Sequence, residues 1–169
     1  MSGEEIDFWE GKGGAVEKGA GVGSAASGAA RRPLEPGYID VPENPGEPLR
    51  LIASYSPEAD TYYFPRRYRC PRTEGAVEDR LLSPFGTIYS WTYVHFASMG
   101  RVKYAESNGY GVAQVDFPEG PRVQGVLHGE MGDWEIGTKV KVVLHPVAVA
   151  EDGTELCSYA FEAISGEEK

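Results

Sequence analysis

Two cysteines and three histidines, Cys70, Cys157, His95, His128 and His145, are the residues whose chemistry could include nucleophilic attack, proton transfer or metal ligation. The histidines fall on three different predicted strands or strand ends, so the sequence does not bring them together, and each reads as structural or surface. Cys157 lies in an apolar strand beside Leu156 and Tyr159 and reads as an inert core thiol. The spacing of the two cysteines proposes neither a disulfide framework nor a complete metal site. No catalytic residue and no metal-ligand set is assigned.

Binding chemistry is better represented. Arg66, Arg67, Arg69 and Arg72 are the one dense cationic cluster of an otherwise acidic chain. Guanidinium groups hold phosphates and carboxylates through paired, charge-assisted hydrogen bonds, so the cluster suits a phosphorylated ligand, an acidic partner surface or plain solvent. Lys103, with Arg101, is a weaker candidate in the loop after the first long strand. By the two-residue period of a strand, Tyr89, Trp91, Tyr93 and His95 share one face, opposite Ile88, Ser90, Thr92, Val94 and Phe96. Such an aromatic row stacks bases in a nucleic-acid binder, anchors an interface in a subunit, or forms the core of a barrel.

The elements that would hold these groups are β-runs. After Leu82 the sequence gives GTIYSWTYVHFA, GYGVAQVDF, RVQGVLHG, KVKVVLHPVAVA and ELCSYAFEAI, five strands separated by turn chemistry at Pro118-Glu119-Gly120-Pro121 and Glu151-Asp152-Gly153-Thr154. GEMGDWEIGTK, between the third and fourth, is a loop or a single helical turn. Five strands with one longer excursion match a closed barrel of the OB type. Pro146 interrupts the fourth strand, which must bulge there or leave its donor side unpaired. Upstream, Leu49 to Tyr55 and Thr61 to Phe64 flank a turn and form a small independent hairpin module. Residues 11–30 are Gly/Ala/Ser-rich, and Arg31 to Pro48 carries a proline every few residues, so this region reads as an extended arm over a surface. GAGVGSAASG is no phosphate loop, because no strand precedes it and no Lys-Ser or Lys-Thr follows. The expected organisation is 1–48 arm with a short N-terminal helix or turn, 49–82 hairpin module, 83–165 barrel and 166–169 tail.

A net charge of −10 opposes nonspecific binding to a phosphate backbone, no apolar run is long enough to cross a bilayer, and the acidic N-terminus is unlike a secretory leader. Nucleic-acid and membrane partners are therefore not expected, and a cytoplasmic location is.

Four local motifs, in order, resemble the zinc-ribbon/OB-fold family of thiolase-associated acyl-CoA-binding proteins, of the domain-of-unknown-function-35 type. Phe8-Trp9-Glu10-Gly11 is similar to the family's Phe-Trp-x-Gly opening. Phe64-Pro65-Arg66-Arg67 followed by Cys70-Pro71 is similar to its Phe-Pro-Pro-Arg-x-x-Cys-Pro segment, with Arg66 in place of the second proline. Gly86-Thr87-Ile88-Tyr89-Ser90-Trp91-Thr92 resembles its first barrel strand, with His95 where a histidine often follows, and Ile136-Gly137-Thr138-Lys139-Val140 its entry to the fourth. The resemblance implies a non-catalytic accessory subunit of a hetero-oligomer, docked on a thiolase-like enzyme that itself supplies the catalytic cysteine and histidines. Acyl-CoA is then the implied ligand, with the arginines as candidates for its phosphates.

The chief departure is at the metal. Family members carry two Cys-x-x-Cys knuckles, whose four thiolates hold a structural zinc. Here the knuckles align with Ser54 and Pro57, and with Cys70 and Thr73, leaving one thiolate. A degenerate ribbon without zinc, held by packing of Tyr55, Tyr62, Tyr63 and Phe64, is expected. Two alternatives remain open: an independent OB-fold binder of single-stranded nucleic acid, and a self-sufficient acyl-CoA enzyme using His95 or Cys70.

Overall fold

A computed structural model describes residues 30–42, 47–95, 98–99, 102–103 and 109–164, the two short segments by their backbone only. The Phe8 to Gly11 motif, the Gly/Ala-rich stretch up to residue 29, Arg101 and the tail lie outside the described residues. The strands are β1 (Arg31–Pro33), β2 (Ile39–Asp40), β3 (Arg50–Ser56), β4 (Thr61–Tyr63), β5 (Glu78–Leu81), β6 (Phe85–Val94), β7 (Ser98–Met99), β8 (Val102–Lys103), β9 (Tyr110–Asp116), β10 (Arg122–His128), β11 (Lys139–Val149) and β12 (Glu155–Ala163). No helix occurs among the described residues, so none is long and apolar enough to cross a membrane.

β6, β9, β10, β12 and β11 close into a barrel, β11 pairing with both β12 and β6. Every pairing in the ring is antiparallel except β10 with β12, which is parallel. That connectivity is the five-stranded OB barrel. All five strands fall on the runs where alternating apolar residues place them. Ile88, Ala113, Val115, Val123, Leu127, Val140, Val142 and Phe161 fill the interior, and closure leaves the ring without an open edge. Pro146 sits where the β11–β12 register shifts, between Pro146 and Ala148, so of the two accommodations open to it the strand takes the bulge.

In many barrels of this kind a helix closes one end. Here the connection at residues 129–138 is a loop, and Trp134 takes that place. Its side chain is 2% exposed, its indole N–H donates to the His128 carbonyl at 2.9 Å, and its ring meets Trp91 edge-on at 5.8 Å. Gly111 lies beneath the indole, where a Cβ would stand 2.7 Å from it.

The second sheet is built on β3. β4 and β5 pair with it antiparallel, and β2 pairs with its first residues. β5 reads EDRL with all four residues exposed, so it lacks the alternation that marks the other strands. The hairpin module is not the independent unit expected from its sequence. Leu49, Leu51, Ala53 and Leu82 join the barrel's apolar residues in one continuous core, and Phe64 stacks edge-on between Tyr38 and Tyr159 at 5.6 and 5.8 Å. A module this small buries too little by itself and gains its core by sharing. The first described strand of the arm pairs with the barrel. β1 runs parallel to Glu155–Cys157, along the part of β12 that lies before its pairing with β10, and Arg31 donates to Glu155 at 2.8 Å.

Candidate functional site

Cys70 is the most chemically distinctive residue. It is 1% exposed and starts the turn Cys70-Pro71-Arg72-Thr73, fixed by Glu74 N–H to the Cys70 carbonyl at 2.9 Å and Cys70 N–H to the Gly75 carbonyl at 3.0 Å. Burial pushes its thiol up, but hydrogen bonds from the Ser56, Thr73 and Tyr63 hydroxyls and the Arg72 amide outweigh that and bring it down to about 6. The Tyr63 oxygen lies 3.5 Å from the sulfur. Proximity to the thiol in turn raises the Tyr63 phenol.

This cluster also corrects the expected alignment of the first knuckle. Ser54 does not face Cys70. It is fully buried and grips the next loop instead, accepting from the Arg67 N–H at 2.7 Å and donating to the Arg67 carbonyl at 3.0 Å. The residue aimed at the thiol is Ser56, two positions on, because the β3–β4 turn begins at Pro57. The Ala59 N–H reaches back to Ser56 Oγ at 3.3 Å, giving Ser56 to Ala59 the spacing and backbone turn of a knuckle. The four knuckle positions are therefore Ser56, Ala59, Cys70 and Thr73: one thiol, two hydroxyls and a methyl. That donor set does not fit structural zinc, which takes thiolate or imidazole ligands. No group of three or more His, Cys, Asp or Glu with metal-site geometry occurs among the described residues. Of the aromatic packing expected around the ribbon, Tyr55 and Tyr62 pair at 4.7 Å, with the Tyr55 hydroxyl donating to Asp60 at 2.6 Å, whereas Phe64 packs on Tyr38 and Tyr159.

The arginine cluster divides. Arg66 pairs with Asp79 at 2.9 Å and lies against Gly37, whose φ of +82° turns the arm there. Arg67, Arg69 and Arg72 are exposed and make no ion pair or side-chain hydrogen bond among the described residues. Between them Tyr68 stands 98% exposed. In the sequence only its place between Arg67 and Arg69 marks Tyr68. Lys103 lies in β8, away from this loop in the chain, and its side chain is not among those described.

The aromatic row does not exist as expected. The β6–β9 register shifts between Ile88 and Ser90, so Tyr89 is the extra residue of a bulge and the alternation restarts after it. Trp91 and Tyr93 turn inward and pack on the core, while Tyr89 points out, 49% exposed, with the Arg122 guanidinium stacked 3.1 Å over its ring. Arg122 is itself clamped by Asp116 at 2.6 and 3.0 Å. His95 is exposed and meets Tyr93 edge-on at 5.1 Å.

Sequence gave no reason to join the histidines, yet two meet. His128 Nε2 and His145 Nδ1 are 3.0 Å apart on the outer barrel face. They come from β10 and β11, the neighbours of β12 within the ring, and reach each other across Ala160, which pairs with both Val126 and Val143. Burial lowers both imidazoles, His145 to about 4, where the neighbouring His128 charge adds to the effect. Cys157 is fully buried, its thiol raised by burial and by Glu155.

A closed five-stranded barrel that shares its core with a hairpin sheet defines an OB-type fold. Residues 79–145 match the family described as ChsH2, C-terminal OB-fold domain. Over 84 residues the chain is 30% identical to the benzoylsuccinyl-CoA thiolase subunit BbsA of Geobacter metallireducens, covering 50% of this chain and 54% of that protein. The chain thus spans about half the length of this curated relative. A chain of the Ltp2-ChsH2(DUF35) aldolase superposes with a TM-score of 0.53 at 22% identity, over 68% of this chain and 84% of that one, a likeness of fold.

Proposed function

We propose that this chain is a non-catalytic accessory subunit that docks on a thiolase-like enzyme, stabilises it and helps enclose acyl-CoA, with a ribbon that needs no zinc. The observation that carries the reading is the alignment with a protein named as a thiolase subunit. The chain's own chemistry agrees with it. Both thiols are buried, and His128 and His145 contact each other. The unpaired guanidiniums of Arg67, Arg69 and Arg72 are the cations available to an acidic surface or to coenzyme A phosphates held at the joint between the subunits. Single-stranded nucleic acid is the weaker reading, because stacking needs exposed rings and Trp91 and Tyr93 are turned into the core.

Co-expression with the thiolase-like enzyme encoded nearest to it tests the proposal. The two should co-elute on size exclusion, and the enzyme should lose activity or stability without this chain. Separate elution with unchanged enzyme activity overturns it. Turnover of an acyl-CoA by the isolated chain would favour the self-sufficient enzyme instead.

A further inference from the structure

The ribbon loop from Arg67 to Cys70 is tethered at both ends and bare in the middle. At one end the buried Ser54 hydroxyl holds both the N–H and the carbonyl of Arg67. At the other, Cys70 is sunk beneath Tyr63, Ser56 and Thr73 and its backbone is tied to Glu74 and Gly75. Only Tyr68 and Arg69 lie between these anchors, and both project into solvent, Tyr68 at 98% exposure. Among the described residues the other exposed aromatic rings are less bare: Tyr89, 49% exposed, carries the Arg122 guanidinium, and Phe85, in β6, is 51% exposed. A large ring held fully in water on a pinned backbone gains nothing for the fold, while Tyr and Arg are the side chains that most often anchor interfaces.

From this geometry we infer that Tyr68 and Arg69 form a preorganised docking tip that inserts into an acid-rimmed pocket on the partner protein. Three features select a protein as occupant. The tip is convex, whereas small-molecule sites are concave, so the pocket must be supplied by a macromolecule. Arg67, Arg69 and Arg72 are unpaired around the ring, so the complementary rim is acidic. The chain's net charge of −10 opposes a polyanion such as nucleic acid. The anchors mean that little backbone freedom is lost on docking, which is the condition for a two-residue tip to contribute strongly.

This inference rests on the accessory-subunit reading and deepens it by naming the contact. The test compares binding of the full chain and its Tyr68→Ala and Arg69→Glu variants to the co-expressed thiolase-like enzyme, at low and high salt. Both positions are exposed, so thermal melting of each variant should match wild type and report intact folding. The expected result is a complex with wild type, at least tenfold weaker binding for each variant, and near-wild-type binding for Tyr68→Phe, which keeps the ring. A wild-type complex that both variants form equally well overturns the docking tip and leaves the accessory reading standing. No complex with wild type removes both. Binding of coenzyme A or of a labelled single-stranded oligonucleotide by the isolated chain, lost in the two variants, overturns the inference by giving the tip a different ligand.

Discussion

Restoring three thiols to the ribbon should convert it from a metal-independent to a zinc-dependent fold. The variant is Ser56→Cys, Ala59→Cys, Thr73→Cys, with Cys70 left in place. Ser56 and Ala59 already share a knuckle turn, through the Ala59 N–H at 3.3 Å from Ser56 Oγ, and Cys70 to Thr73 form the second. Without metal the variant should be less stable than wild type, since Ser56 is fully buried and losing its hydroxyl's hydrogen bonds costs about 1–2 kcal/mol. Zinc at a thousandfold excess over its Kd returns about 4 kcal/mol to the folded state. At roughly 2–4 °C per kcal/mol for a chain of this size, the zinc-loaded variant should melt about 8–16 °C above the chelated one. Wild type should melt at the same temperature in zinc and in chelator. Zinc content by elemental analysis and thermal unfolding with and without EDTA decide the matter. The reasoning is refuted by stoichiometric, tightly held zinc in wild type, or by a folded triple variant that takes up none.

Trp134→Ala should cost about 3–5 kcal/mol, the range for emptying a buried aromatic site, while Trp134→Phe should cost about 1–2 kcal/mol, chiefly because the His128 carbonyl loses its donor; urea unfolding at constant m measures both, and equal losses would show that the indole N–H is immaterial. The histidine pair sets a pH window. Because the folded His145 sits at about 4 against an ordinary 6.5, the stability it contributes is complete above pH 6.5 and is lost as the unfolded chain takes up protons between 6.5 and about 4. At 1.36 kcal/mol per pH unit the ceiling is roughly 3 kcal/mol, which solvent access to the half-buried ring and the Glu162 charge beside His128 reduce to about 1–2 kcal/mol. His145→Gln should flatten that slope in unfolding curves taken from pH 7 to 4.5, and an unchanged slope would assign it elsewhere.

The barrel was legible because each of its strands alternates apolar and polar residues between turn signals, and Pro146 marked the place of an irregularity without deciding between a bulge and an unpaired donor side. What escaped were features set by one residue or by distant ones. Glu78–Leu81 has no apolar alternation, so β5 is visible only once β3 offers it an edge. The inserted Tyr89 changes no composition, yet it reverses the facing of Trp91 and Tyr93, which strict alternation had placed beside it. Trp134 lies in a loop with no helical period, and nothing local marks it as the plug of a barrel end. The His128–His145 contact depends on Ala160 in a third strand, too small to hold the imidazoles apart. In the ribbon, a family pattern placed the knuckle at Ser54, and the start of the turn at Pro57 moves it to Ser56. The arginines were legible as a cluster, but not their division into a paired Arg66 and three unpaired neighbours around Tyr68.

The bulge at Tyr89 also separates two evolutionary freedoms that an ordinary strand would tie together. Trp91 and Tyr93 are constrained by the rings and backbone they pack against, so changes there must be matched inside the barrel. Tyr89, lifted out of register and resting on Arg122, can be exchanged without disturbing any interior contact. A lineage could therefore retune this patch of surface one substitution at a time while the strand that carries it goes on closing the barrel.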